Sequence, residues 1–201
     1  MKKITTRLVA LAALAFAGTV QAQAIPTSPF SVEVRCGLAF PTGDLEDVAE
    51  SGITVGANGT YMFTPMLGLY AGFTYNAFGL PDEAEELGVE GSINTYGLDA
   101  GVKAMFATPT LPVTPFLKGG LVYHKVQLDI EDVDLGDEDE SDFGLGFEVG
   151  GGVMVPLGPR LSFTPAVSYT SFKPNFEGDE DDDDADNITS FRVDVGLNIR
   201  F

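Results

Sequence analysis

Cysteine is nearly absent: Cys36 stands alone in 201 residues. That excludes an internal disulfide and any site built from several thiolates. Histidine is as scarce, with only His124. A two-histidine metal site is therefore excluded, and histidine-based catalysis has one residue to work from. Tryptophan is missing altogether. Cations are few, 11 Lys and Arg against 30 Asp and Glu, for a formal charge of −19. Nucleic-acid surfaces need clustered cations to meet phosphates, so this balance argues against such a partner. No apolar run approaches the ~20 residues of a membrane-crossing helix. What the chain does have is glycine (24), phenylalanine (15) and an apolar share of 44%, too high for a disordered acidic chain. The length suits one domain.

The N-terminus reads as a leader. Lys2, Lys3 and Arg7 precede an apolar stretch at 8–20, and small residues follow at the spacing used for cleavage after Ala22 or Ala24. This is the pattern of a secretory signal peptide over 1–22, followed by a short segment at 23–29. Thirteen apolar residues are too few to stay behind as a membrane helix. Without the leader the chain keeps 8 cations against 30 acids, a charge of −22.

From residue 30 to the end the dominant period is two, the signature of strands with unlike faces. In FSVEVRCGLAF, Phe30, Val32, Val34, Cys36, Leu38 and Phe40 share a face. In SFRVDVGLNIRF, Phe191, Val193, Val195, Leu197, Ile199 and Phe201 do the same. Six segments between them follow this rule, for eight in all. The fifth, 116–128, is irregular: Leu117, Leu121 and Tyr123 oppose Lys118, but Val126 and Leu128 fall on the other side. A β-bulge near Val126 is the expectation. Connections alternate in length. Those at 64–66, 107–114 and 156–159 are short, whereas 41–51, 80–91, 129–142 and 173–187 are long and acidic. Up-and-down hairpins with short turns at one end and long loops at the other match an eight-stranded transmembrane β-barrel.

Placement of charge decides which face is outside. The long connections hold 26 of the 30 acids, and the other four, Glu33, Asp99, Glu148 and Asp194, all lie on polar strand faces. A soluble barrel would turn the apolar face inward. Eight strands enclose a lumen just wide enough for side chains, and five or six large residues per strand are too many for it. The apolar face therefore meets lipid. The lumen then receives Glu33, Asp99, Glu148 and Asp194 against Arg35, Lys103, Arg192 and Arg200, with Lys118 as a fifth cation. Buried charges are tolerable when paired, so an ion-pair network filling the core is expected. Aromatic residues gather near segment ends: Tyr61, Phe63, Phe106, Phe163 and Phe201 at the short turns, Phe40, Tyr75, Tyr123, Phe143 and Tyr169 at the long loops. Such belts mark membrane interfaces.

These features resemble the small eight-stranded outer-membrane barrels, the group that holds the OmpA transmembrane domain and OmpX. The resemblance covers 30–201. Its most specific element is the final strand, with Val195, Leu197 and Ile199 alternating up to Phe201. PTGD at 41–44 is a weaker token of the group. The resemblance implies short turns in the periplasm, acidic loops outside and export by the Sec route to a Gram-negative outer membrane. It also implies an assembly signal at Val195, Leu197, Ile199 and Phe201, read by the barrel-assembly machinery after periplasmic chaperones deliver the chain. The expected partners are outer-membrane lipids and lipopolysaccharide, and the expected state is a monomer. The chain ends at the last strand, so no peptidoglycan-binding domain is expected.

Outer-membrane barrels include lipid A-modifying enzymes, which resemble this chain in size and rely on His with Ser and an acid. Here His124 lies in YHKVQLD, where Val126 holds the position a serine would need. His124 reads instead as an upper-strand residue near the interface. No catalytic residue and no cofactor motif is assigned. The acidic run at 179–186 offers hard oxygen ligands, with Asp179, Asp181, Asp183 and Asp186 as Ca²⁺ candidates. It lacks EF-hand spacing, and clustered carboxylates repel, so a solvated loop with diffuse divalent binding is expected. The functional expectation is a non-enzymatic barrel whose loops form an interaction surface. A narrow porin-like channel and a lipid A-modifying enzyme are its rivals.

Overall fold

A computed structural model describes residues 29–43, 45, 49–79, 91–107, 111–130, 142–174 and 187–201. The leader, its cleavage positions, Asp179, Asp181, Asp183, Asp186 and most of the acidic connections lie outside the described residues. Eight strands follow in order: β1 (Phe30–Thr42), β2 (Gly52–Met62), β3 (Leu67–Gly79), β4 (Gly91–Met105), β5 (Thr114–Ile130), β6 (Gly144–Pro156), β7 (Leu161–Phe172) and β8 (Ile188–Arg200). Each pairs antiparallel with the next and β8 returns to β1, closing an up-and-down barrel. Closure satisfies the backbone of every strand within the sheet, as hydrocarbon requires.

The pairing can be followed once around the wall. Phe30 faces Tyr61, and the path continues through Leu69, Val102, Gly119, Val149, Tyr169 and Phe191 to Phe40. The circuit returns to β1 ten residues beyond its start. Such a stagger goes with strands tilted by about 35–45°. At that tilt ~9–11 residues cross the hydrocarbon. β4 has 15 and β5 has 17, so this ribbon projects furthest past the membrane.

The two faces differ as the alternation requires. Val34 and Leu197 are 61% and 49% exposed, whereas their neighbours Arg35 and Asn198 are 6% and 1%. Large apolar side chains cover the outer wall of all eight strands. Gly97 shows how the lumen is made to fit. A Cβ there would lie 2.1 Å from the Tyr123 carbonyl and 2.6 Å from the His124 ring, so only glycine lets β4 and β5 approach with His124 between them. Gly43, at φ +64°, takes the left-handed conformation that turns the chain out of β1.

The expected bulge in β5 is absent. Pairing with β4 runs unbroken from Met105–Phe116 to Gly91–Ile130, and pairing with β6 is equally regular. Val122 and Val126 point inward in plain register and are buried. The register stays constant while the surroundings change. Beyond the membrane the outer wall meets water, so Lys125 and Gln127 face out and the apolar side chains turn in. The lumen therefore has apolar ends that the expectation of a polar interior missed. At the long-connection mouth Leu45, Ala49, Phe78, Ile93, Val126 and Phe172 form a cluster with Ala39 and Val122, and Ile188 packs against it. Leu45 and Ala49, described residues of the β1–β2 connection, sit in the mouth, and Glu50 N–H donates to Gly79 O at 2.8 Å. At the short-turn end Met105, Phe116 and Met154 form a second cluster with Met62 and Ala166 against it.

Candidate functional site

Strand alternation aims every second side chain at the axis, so polar residues from different strands meet between the two apolar ends. Asp99 on β4 gathers the first group. Its Oδ2 accepts from Arg35 Nη2 at 3.2 Å and from the Thr74 hydroxyl. His124 Nε2 lies 2.7 Å from its Oδ1. Facing a carboxylate oxygen, that ring nitrogen carries the proton. Arg35 also donates from Nη1 to Asn58 Oδ1 at 2.6 Å and from Nη2 to Thr74 Oγ1 at 2.5 Å. One carboxylate and one guanidinium thus tie β1, β2, β3, β4 and β5.

Glu148 on β6 gathers the second group. It accepts from the Tyr70 hydroxyl at 2.7 Å, Lys118 Nζ at 2.9 Å and Arg192 Nη2 at 2.9 Å. These donors stand on β3, β5 and β8. Towards the short turns, Lys103 Nζ lies 3.7 Å from Glu33 Oε2 and 4.1 Å from the centre of the Phe116 ring. Arg192, Glu148, Asp99 and Lys103 are all at most 3% exposed. Leaving charges this deep without partners would be costly. A cavity of about 10 Å³ remains beside Glu33, Lys103, Lys118 and Asp194. That is the lower limit for one water molecule.

The structure pairs Glu33 with Lys103, Arg35 with Asp99, and Glu148 with Arg192 and Lys118. It does not pair Asp194 or Arg200 with an opposite charge among the described residues. Asp194 faces Gly37 on β1 and Ala166 on β7, neither of which has a side-chain donor, and its Oδ1 has no hydrogen-bond partner. Arg200, near the short turns, reaches the Met154 sulfur at 3.6 Å. His124 corrects the sequence reading more strongly. It is a lumen residue, fully buried, with its ring edge-on to Phe172 at 5.5 Å. Parity within β5 carried the signal: His124 is even-numbered like Lys118, and an unbroken strand puts both inside. Tyr70, Thr74 and Asn58 carry no charge to mark them, and only their inward parity on β3 and β2 signals their place in the networks.

Val195, Leu197 and Ile199 face outward, and Phe201 packs on Phe30 with ring centres 5.9 Å apart. The Phe201 N–H donates to Phe30 O at 3.2 Å, which fastens the last residue to the first strand. Cys36 is a free thiol on the outer wall. Among the described residues no group of three or more His, Cys, Asp and Glu is placed to hold a metal ion.

The model of a family described as outer membrane protein beta-barrel domain matches residues 8–201. No curated protein matches the sequence. Among solved structures, Neisserial surface protein A is similar over 87% of this chain and 98% of its own, with a TM-score of 0.66 and 20% identity. A major outer membrane protein of Thermus thermophilus is similar over 86% and 99%, with a TM-score of 0.58 and 16% identity. The attachment invasion locus protein of Yersinia pestis, solved with the heparin analogue sucrose octasulfate, is similar over 86% and 97%, with a TM-score of 0.54 and 14% identity. At these identities the likeness is one of fold.

Proposed function

The chain belongs to the outer membrane protein β-barrel domain family, and from that membership we propose that it is a non-enzymatic, closed barrel that anchors long acidic loops at the cell surface. Membership implies an outer-membrane location. Our reading adds Sec export, a leader cut after Ala22 or Ala24, a Gram-negative outer membrane, and the short turns in the periplasm. Its partners in this reading are the assembly machinery and chaperones during biogenesis, then outer-membrane lipids and lipopolysaccharide, with divalent cations held diffusely by the loops. The barrel works as a monomer.

The observation that carries the reading is the filled lumen. Apolar clusters stop both ends and two carboxylate-centred networks fill the space between them. Such an interior contributes rigidity and leaves the loops as the part that varies in what it meets. The single histidine supports a non-enzymatic role: its Nε2 faces Asp99, and the nearby Thr74 hydroxyl bonds that same carboxylate rather than the imidazole. Reconstitution in planar bilayers tests the closed state. A silent membrane is the expected result; steady openings that change on substituting Arg192 or Asp99 would overturn it. Loss of lipid A turnover in His124→Ala would overturn the non-enzymatic assignment.

A narrow ion path is the second reading, and one observation favours it. Along the inner wall of β7 and β8, Ser168 Oγ, Thr170 Oγ1, Arg192 Nε and Asp194 Oδ1 are buried without protein partners. The bilayer measurement above decides between the two.

A further inference from the structure

The two carboxylate-centred networks tie seven of the eight strands together, and β7 is the one they leave out. The hydroxyls of Thr164, Ser168 and Thr170 on β7 are buried, and none has a hydrogen-bond partner in the protein. Two carboxylates on the neighbouring strands share this condition. Asp194 on β8 is 2% exposed, and its Oδ1 meets no donor. Glu33 Oε2 on β1 stands 3.7 Å from Lys103 Nζ, too far for a hydrogen bond, and has no other partner. A polar contact of that length is the usual place for a bridging water.

Three of these groups meet at one point. Glu33, Thr164 and Asp194 all line the cavity of about 10 Å³. Gly196, which pairs with Arg35 on β1 and Thr164 on β7, shows how close they come. A Cβ there would lie 2.5 Å from Thr164 Oγ1 and 3.2 Å from Glu33 Cγ. Ala166 also faces the cavity, and its small side chain leaves the space beside Thr164 and Asp194 open. Lys103 and Lys118 close the opposite side.

Size and charge select what fits. The volume takes one water and no larger molecule. The charges around it balance: Glu33, Asp99, Glu148 and Asp194 stand against Arg35, Lys103, Lys118 and Arg192, while Arg200 lies apart against Met154. An added ion of either sign would upset that balance in a buried interior, where an unpaired charge is costly. A cation would also press on Lys103 and Lys118, and an anion on Glu33 and Asp194. A neutral molecule with two donors and an acceptor meets no such conflict.

We propose that this cavity is a binding site for a single resident water molecule. It donates to Asp194 Oδ1 and Glu33 Oε2 and accepts from the Thr164 hydroxyl. Three bonds are the usual complement of a buried water. The water is the centre of a third lumen network, which joins β7 to β8 and β1. It also supplies Asp194 with the donor that no side chain provides.

The test is a high-resolution crystal structure of the full chain refolded in detergent, with crystals grown in rubidium bromide. A single density peak within hydrogen-bond distance of Asp194 Oδ1, Glu33 Oε2 and Thr164 Oγ1, without anomalous signal, is the expected result. A cavity without density overturns the site, and rubidium or bromide signal at the peak overturns water as its occupant. Ala166→Val directs added methyl groups into the cavity and should abolish the peak; a peak that survives in place overturns the assignment. Thr164→Val keeps the side-chain shape and removes the donor, so the occupancy of the peak should fall. An equally occupied peak there overturns the role of Thr164. A heat-modifiable gel band establishes that each variant is folded before its crystals are used.

Discussion

Glu148 is held by three donors from three strands, and that number sets what its loss should cost. Removing the carboxylate leaves Arg192 and Lys118 buried without their partner. Breaking a buried pair from one side costs about 3–5 kcal/mol. Glu148→Ala should lose stability in that range, and the measurement is urea unfolding of the refolded barrel in lipid vesicles followed on gels. Gly97 makes a second prediction of a steric kind. A side chain there meets the Tyr123 carbonyl at 2.1 Å, whereas one at Gly158 meets nothing within 4 Å. Gly97→Val should destabilise by at least the ~1–3 kcal/mol of ordinary overpacking, and Gly158→Ala should be neutral in the same assay. The charged lumen residues were legible because a charge on a polar strand face has few other places to go. Their partners were not legible, because Thr74, Asn58 and Tyr70 become relevant only when strands far apart in sequence curl around one axis.

At the scale of the element, β8 carries the sharpest contrast between faces. Val195 meets lipid, and an arginine near mid-membrane costs about 2–4 kcal/mol. Asn198 faces the lumen and donates to Ser31 Oγ at 3.2 Å, a bond worth about 1 kcal/mol. Val195→Arg should sharply reduce the folded fraction in vesicles, whereas Asn198→Ser should insert normally with a small loss of stability; heat-modifiable gels read both. β5 teaches the opposite lesson. Its pattern breaks at Val126, and a bulge was the natural inference from one strand viewed alone. The unbroken pairing shows that a strand can keep its register while its two faces exchange roles, because its outer face passes from lipid to water partway along. Period-two reading assumes one environment per face, and a strand of 17 residues outlasts that assumption.

At the scale of the whole molecule, the closed barrel proposed above would be closed twice over. The mouth cluster around Phe78 and the ion pairs around Glu148 lie at different depths, so on that reading either alone would keep ions out. Phe78→Ala should leave bilayers silent, and so should Arg192→Ala. The double variant should conduct, and single-channel recording checks all three. Redundancy of this kind suits a barrel whose role is to hold loops rather than to pass solutes.

The sequence by itself determined the strand count, the alternation, the face that meets lipid and the charges that turn inward. Each follows from a local rule: side chains alternate along a strand, and hydrocarbon rejects charge. Only the tertiary structure decided that the circuit closes with a stagger of ten, that Asp99 and Glu148 each collect donors from three other strands, and that the mouth is stopped by apolar side chains. Those depend on which residues reach the same height on a tilted cylinder, and that height is set by the pairing of all eight strands together.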